Sequence, residues 1–130
     1  MEMTSARAEQ AVEYKHNKCN CAQAVLLAFQ KDIGKSAEEL LAMGAGFGSG
    51  MGGMEATCGA LCGAVMALGM LNKTEAPSKL LAKEMLKDFK EMSGGASICG
   101  ELKGLKTGKM LCSCDDCVRH GVMVLDKYLG

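Results

Sequence analysis

Tryptophan is absent from this chain of 130 residues, proline occurs once and histidine twice, and its 15 Lys and Arg are matched by 15 Asp and Glu. A formal charge of zero gives no basic footprint for nucleic acid. The lysines that gather between Lys73 and Lys109 are mixed with glutamates and Asp88, the composition of a solvated surface. No apolar run reaches the ~20 residues that a membrane span requires. The longest, residues 56–71, is rich in glycine and reads as a buried central helix. Met1 to Gln10 is polar and charged and lacks the apolar h-region of a secretory signal, which points to a cytoplasmic, reducing setting. Neither histidine is close in sequence to the glycine-rich stretch, so the base that a nucleophilic hydrolase needs is missing there. There is no P-loop and no C-x-x-C-H haem attachment. Period-two alternation, internal repeats and low-complexity tails are absent as well. These absences leave an all-α chain forming a single domain over residues 1–130.

What is present is sulfur and glycine: 8 cysteines, 11 methionines and 17 glycines. In a reducing setting, cysteines at this density favour metal binding or catalysis over structural bridges. Methionine and cysteine are both easily oxidised, which suits an anaerobe, although methionine also serves simply to fill a core.

Ala6 to Asn17 reads as a helix with Ala8, Ala11, Val12 and Tyr14 as its apolar side. Asn20 and Gln23 form a capping box that sets Cys21 at the first position of a second helix. The stripe Cys21, Ala22, Val25, Leu26, Phe29 and Ile33 follows, and Gly34 ends it. Ser36 and Glu39 open a short helix through Met43. Residues 44–53 are glycine-dense, a costly choice unless the backbone must turn sharply or approach something closely. The central helix runs from about Glu55 to Leu71, with Thr57 as the N-cap and Cys58 at its first position. Gly59, Gly63 and Ala67 recur every four residues and leave one side nearly bare, so another helix packs very close there, and a homodimer through that face is one reading. Pro77, with Thr74 as cap, opens a helix whose apolar positions are Leu81, Met85, Phe89 and Met92, stopped by Ser93-Gly94-Gly95. Ser97 to Leu105 is short and irregular and holds Cys99. The last helix begins near Ser113, with Asp116 as box partner and Val118, Val122, Leu125 and Leu129 as its buried stripe. The expected fold is a compact bundle of five or six helices around a Gly/Ala-rich central one.

Three cysteines directly follow a capping residue: Asn20-Cys21, Thr57-Cys58 and Ser113-Cys114. At a helix start, free N–H groups and the positive end of the dipole favour a thiolate. If these starts point at one spot, with Cys99 bent in from its irregular segment, four thiolates converge. Cys58 and Cys62 lie four apart on one helical face; in a thiol–disulfide reading Cys58 attacks and Cys62 or another cysteine of the pocket resolves, a distant partner being favoured because a pair four apart reaches disulfide geometry only with distortion. Cys112-x-Cys114-x-x-Cys117 is a compact run matching neither the paired C-x-x-C of structural zinc nor the ferredoxin run. Cys117 and His120 are three apart, yet His120, like His16, reads as a solvated helical residue. Gly48-x-Gly50-x-x-Gly53 has the letter pattern of a dinucleotide loop without the strand that should precede it. Such a loop is better suited to wrapping N–H groups of Gly48, Gly50, Gly52 and Gly53 around a sulfur site. Met51 and Met54 are thioethers that copper(I) accepts.

The segments Asn20-Cys21-Ala22-Gln23-Ala24-Val25-Leu26, Gly46 to Gly52, Cys58-Gly59-Ala60-Leu61-Cys62-Gly63-Ala64 and Ser97-Ile98-Cys99-Gly100-Glu101-Leu102 occur in this order ahead of a last cysteine and an amphipathic helix. In that order they resemble the redox-active family named for its C_GCAxxG_C_C cysteine pattern, over nearly the whole chain. The resemblance implies four site cysteines: Cys21, Cys58, Cys99 and a fourth, Cys114, chosen over Cys117 because the family cysteine stands four residues before a helix-face valine, here Val118. Cys19, Cys62, Cys112 and Cys117 are extra to the pattern. A similar arrangement goes with an iron–sulfur cluster in a split-Soret-type cytochrome. The resemblance therefore implies a [2Fe–2S] or [4Fe–4S] cluster on Cys21, Cys58, Cys99 and Cys114, in electron transfer or redox sensing with a redox partner protein. A metal-free thiol–disulfide oxidoreductase using Cys58 and Cys62, and a zinc or copper(I) module, are the alternatives.

Overall fold

Asn20 accepts a hydrogen bond from the Gln23 amide, and Gln23 answers through its side chain to the Asn20 amide, so the expected capping box opens a helix at Cys21. The structure is a computed structural model and describes residues 6–129. Eight α-helices follow one another among these: α1 (Ala6–His16), α2 (Cys21–Ala28), α3 (Gln30–Ile33), α4 (Ala37–Gly44), α5 (Gly59–Leu71), α6 (Ser78–Met92), α7 (Cys99–Leu102) and α8 (Cys114–Leu129). Six of them have eight residues or more, and α3 and α7 have four each. No named strand occurs among the described residues; one antiparallel bridge joins Thr57 to Ile98. The fold is all-α, as the missing alternation predicts.

The apolar periodicity becomes a single core running from Ala8 to Leu125, with Phe29, Phe89, Leu26, Leu40, Leu68 and Met85 among its largest fully buried side chains. Helix α5 is its axis. A methyl group added at Gly63 would stand 2.6 Å from the carbonyl oxygen of Ala22, so α2 lies directly on the bare stripe. The close-packing face is therefore filled within the chain, which removes the sequence argument for a homodimer through it. Helix α8 packs on α5 where Gly121 meets Ala60, and α6 covers another side with Met85 and Phe89. Helix α1 crosses α2 and α8, and Arg119 of α8 holds Glu9 of α1 at 2.8 Å.

Several local expectations are corrected. Helix α5 starts at Gly59, and its N-cap is Cys58 rather than Thr57. Thr57 is drawn into the bridge with Ile98, where the Cys58 amide donates to Ser97 (2.7 Å) and the Cys99 amide to Ala56 (3.0 Å). A long-range pairing thus overrides the local capping preference of Thr57. Pro77 itself is the N-cap of α6, while Thr74 folds back on the Asn72 side chain. Cys99 begins a short helix instead of lying in irregular chain. The last helix is capped as expected, the Ser113 hydroxyl accepting from the Asp116 amide at 3.1 Å, but Asp116 spends its carboxylate on Arg119.

Candidate functional site

Four cysteines of the chain stand at helix starts. Cys21 is in the first turn of α2, Cys58 caps α5, Cys99 opens α7 and Cys114 opens α8. The bridge between Thr57 and Ile98 sets Cys58 opposite Ser97 and Cys99 opposite Ala56, so the two cysteines stand diagonally across one paired backbone. Gly50, at φ +58°, lets the glycine-rich turn reach that pair: a methyl group there would stand 2.7 Å from the Cys99 Cβ and 2.8 Å from the Ala56 carbonyl. Gly48 is equally tight against the Asn20 side chain, whereas Gly52 and Gly53 face open space.

Electrostatics link the four thiols into a closed ring. Cys21 feels the charges of Cys58 and Cys114, and Cys99 feels those same two. The expectation that every helix-start sulfur is anionic is overturned for two of them. Burial first, and then Cys58 and Cys114, push the Cys21 thiol up to about 12. Burial and Cys58 likewise raise Cys99. Desolvation outweighs the helix field at both. Cys58 is lowered, to about 7. A hydrogen bond from Cys117 does most of this against the cost of burial, and the Ala60 and Leu61 amides and the Lys103 charge add to it.

Lys103 is the residue that the sequence reading passed over. It was grouped with the solvated lysines, yet its stem is half-buried. Its ammonium donates to the Cys112 carbonyl (3.0 Å) and to Cys117 Sγ (3.7 Å). Burial works against its charge, but Cys117, Cys114 and Cys58 together raise its pKa. The available signal was its place four residues after Cys99, legible only once α7 is known to be helical.

Beyond the ring lies a second group of thiols. Cys117 is fully buried and interacts by hydrogen bond with both Cys58 and Cys112, which raises its own pKa strongly. Cys112 is lowered to about 5, by Cys117 first and then by His120 and Ser93. One S–H proton reaches one acceptor at a time, so Cys58 and Cys112 compete for it. His120 is not a solvated residue: its Nδ1 lies 2.8 Å from the hydroxyl of the buried Ser93 and 3.7 Å from Cys112 Sγ, and its ring meets Phe89 edge-on. His16 is exposed and pairs with Asp115 at 2.9 Å.

Cys62 sits apart, donating to the Thr57 carbonyl (3.8 Å) in an apolar groove of about 490 Å³ between α5 and α6. Burial and the nearby Cys58 raise its pKa. Cys19 is half-buried and is likewise raised by burial. Met51 is 64% exposed. A larger cavity, about 930 Å³, lies between Gly53–Glu55, α7 and the loop before α8, and no cysteine lines it. Among the described residues all eight cysteines are free, and no three His, Cys, Asp or Glu side chains are gathered to hold one metal ion.

Residues 19–128 match the family described as "Putative redox-active protein (C_GCAxxG_C_C)". The chain belongs to that family. The match begins two residues before Cys21 and ends within α8, so it contains every element of the thiol ring. Membership in the C_GCAxxG_C_C family makes this a cysteine-rich protein of a redox-active kind. No curated protein and no solved structure matches the chain. Among the described residues no helix is long and apolar enough to cross a membrane.

Proposed function

We propose that this protein is a small redox protein in which Cys21, Cys58, Cys99 and Cys114 hold an iron–sulfur cluster for electron transfer or redox sensing, with a separate redox protein as donor or acceptor. The observation that carries this reading is the ring of four thiols brought by four separate segments into each other's field. The donor set fits such a group. A single tetrahedral ion with ~2.3 Å bonds draws its sulfurs to about 4 Å of one another. A cluster divides the four cysteines among its irons and so spreads them, and the ring thiols interact by charge with no hydrogen bond between any two. When bound, the cluster would supply one-electron chemistry. The chain's own residues do the rest. Lys103 places a cation against sulfur charge, and Gly48 and Gly50 bring the turn against Asn20 and Cys99, while Gly52 and Gly53 face open space.

The test is anaerobic purification with iron and sulfide analysis and an absorbance spectrum, repeated for Cys21→Ser, Cys99→Ser and Cys114→Ser. Coloured, iron-loaded wild type and depleted variants are expected. A colourless, iron-free protein from anaerobic cells would overturn the reading.

A second reading, a metal-free thiol–disulfide oxidoreductase with Cys58 as nucleophile and Cys62 as resolving thiol, draws on the lowered Cys58 and its influence on Cys62. It is the one favoured if iron is absent and thiols disappear reversibly on mild oxidation.

A further inference from the structure

The four-thiol ring leaves Cys112 and Cys117 unused, and these two residues share a hydrogen bond and a lysine. Cys112 lies in the segment that leads into α8, and Cys117 in the first turns of that helix, so four residues separate them. The Cys117 thiol turns back to the Cys112 carbonyl at 3.9 Å. Lys103 binds both residues at once, through the Cys112 carbonyl at 3.0 Å and Cys117 Sγ at 3.7 Å. On its far side Cys112 Sγ meets His120 Nδ1 at 3.7 Å, and Ser93, 1% exposed, holds that ring at 2.8 Å. The Cys117 sulfur thus rests on the Cys112 backbone beside a cation, an imidazole stands at the Cys112 sulfur, and neither thiol is bridged.

We infer that Cys112 and Cys117 form a second redox group, a dithiol that closes reversibly to an internal disulfide beside the thiol ring. Cys117 has Cys58 as its other sulfur neighbour, but Cys112 shares its chain segment and its Lys103 clamp, the Cys117 thiol lies on the Cys112 carbonyl, and a short tether favours the local partner. The co-reactant is a low-molecular-weight disulfide. Cys112, 6% exposed where Cys117 is fully buried, attacks first. A Cys112–sulfur bond forms, the external S–S bond breaks, and the first small thiol leaves with the Cys112 proton. Cys117 then attacks the Cys112 sulfur of the mixed disulfide. The internal S–S bond forms, and the second small thiol leaves with the Cys117 proton. Two protein thiols are oxidised and one external disulfide is reduced to two thiols. Closure takes Cys117 away from Cys58, so the state of this pair sets the environment of a ring thiol.

The test uses the full chain. It is equilibrated with glutathione disulfide and glutathione, quenched in acid, denatured and alkylated, and the tryptic fragment 110–119, which carries Cys112, Cys114 and Cys117, is sequenced by mass spectrometry. Oxidation should remove two of its three labels, leaving the one on Cys114, and reduction should restore them. The Cys114→Ser chain should behave the same way at Cys112 and Cys117. Because that variant is expected to lose iron, its two readouts separate failure of this inference from failure of the cluster. Retention of all three labels, loss of the Cys114 label, or a Cys58–Cys117 cross-link would overturn it.

Discussion

Cys21 and Cys58 both stand at the mouth of a helix, yet their thiols move in opposite directions, to about 12 and about 7. The difference lies in partners and not in the helix field. Cys21 has burial and two like-charged neighbours against it, while Cys58 has a sulfur hydrogen bond, two amides and Lys103 in its favour. Because the folded value of Cys58 is below its ordinary 9.0, its contribution to stability is present above that value and is lost as the pH falls through about 7. Ultraviolet thiolate absorbance should therefore show a step near pH 7 that Cys58→Ser removes, and Lys103→Met should move that step to higher pH. An unmoved step in Lys103→Met would show that the ammonium has no hold on the site. Sequence patterning singled out Cys21, Cys58 and Cys114 because each follows a capping residue, whereas Cys99 came in from an irregular segment and through the resemblance, its short helix being illegible in the sequence. It missed Lys103, Ser93 and the true setting of His120, because what binds them comes from other segments.

At the level of elements, both capping boxes were legible, at Asn20 with Gln23 and at Ser36 with Glu39, since each is closed by residues three apart. The start of α5 was not legible, because the partner of Thr57 is Ile98, some forty residues along the chain. The Gly59, Gly63 and Ala67 stripe correctly announced a close helix neighbour, but pattern alone does not say whether that neighbour belongs to the same chain; here it is α2. This packing is testable. In Gly63→Ala the new methyl group meets a backbone oxygen at 2.6 Å, which cannot swing aside as a side chain does. Urea denaturation should show a loss of about 1–3 kcal/mol, the usual cost of overfilling a core. The same change at Gly69, where nothing lies within 4 Å, should be harmless or mildly stabilising.

Across the whole molecule, the all-α architecture was legible from the missing alternation and the three-and-four spacing, and the observed six longer helices agree with five or six expected. How those helices lean on each other was settled by contacts such as Asp88 of α6 with Tyr128 (2.6 Å) and Lys127 (2.9 Å) of α8. The Tyr128 hydrogen bond first, and then Lys127, hold the Asp88 carboxyl below its usual 3.8. Its stabilising effect is thus present above that value and disappears as the pH falls through the lower folded one. Asp88→Asn should lose about 0.5–1.5 kcal/mol at pH 7 in chemical denaturation, a gap that closes in strong acid. A gap of equal size at both pH values would assign the effect to shape alone. The backbone pairing of Thr57 with Ile98 carries one more consequence. It rivets two sulfurs through main-chain atoms only, Cys58 N–H to Ser97 and Cys99 N–H to Ala56. Their backbone spacing is therefore set without help from the Ala56 and Ser97 side chains, whereas Gly59 and Gly100, where a methyl group would stand 2.6 and 2.7 Å from backbone oxygens, are pinned in place.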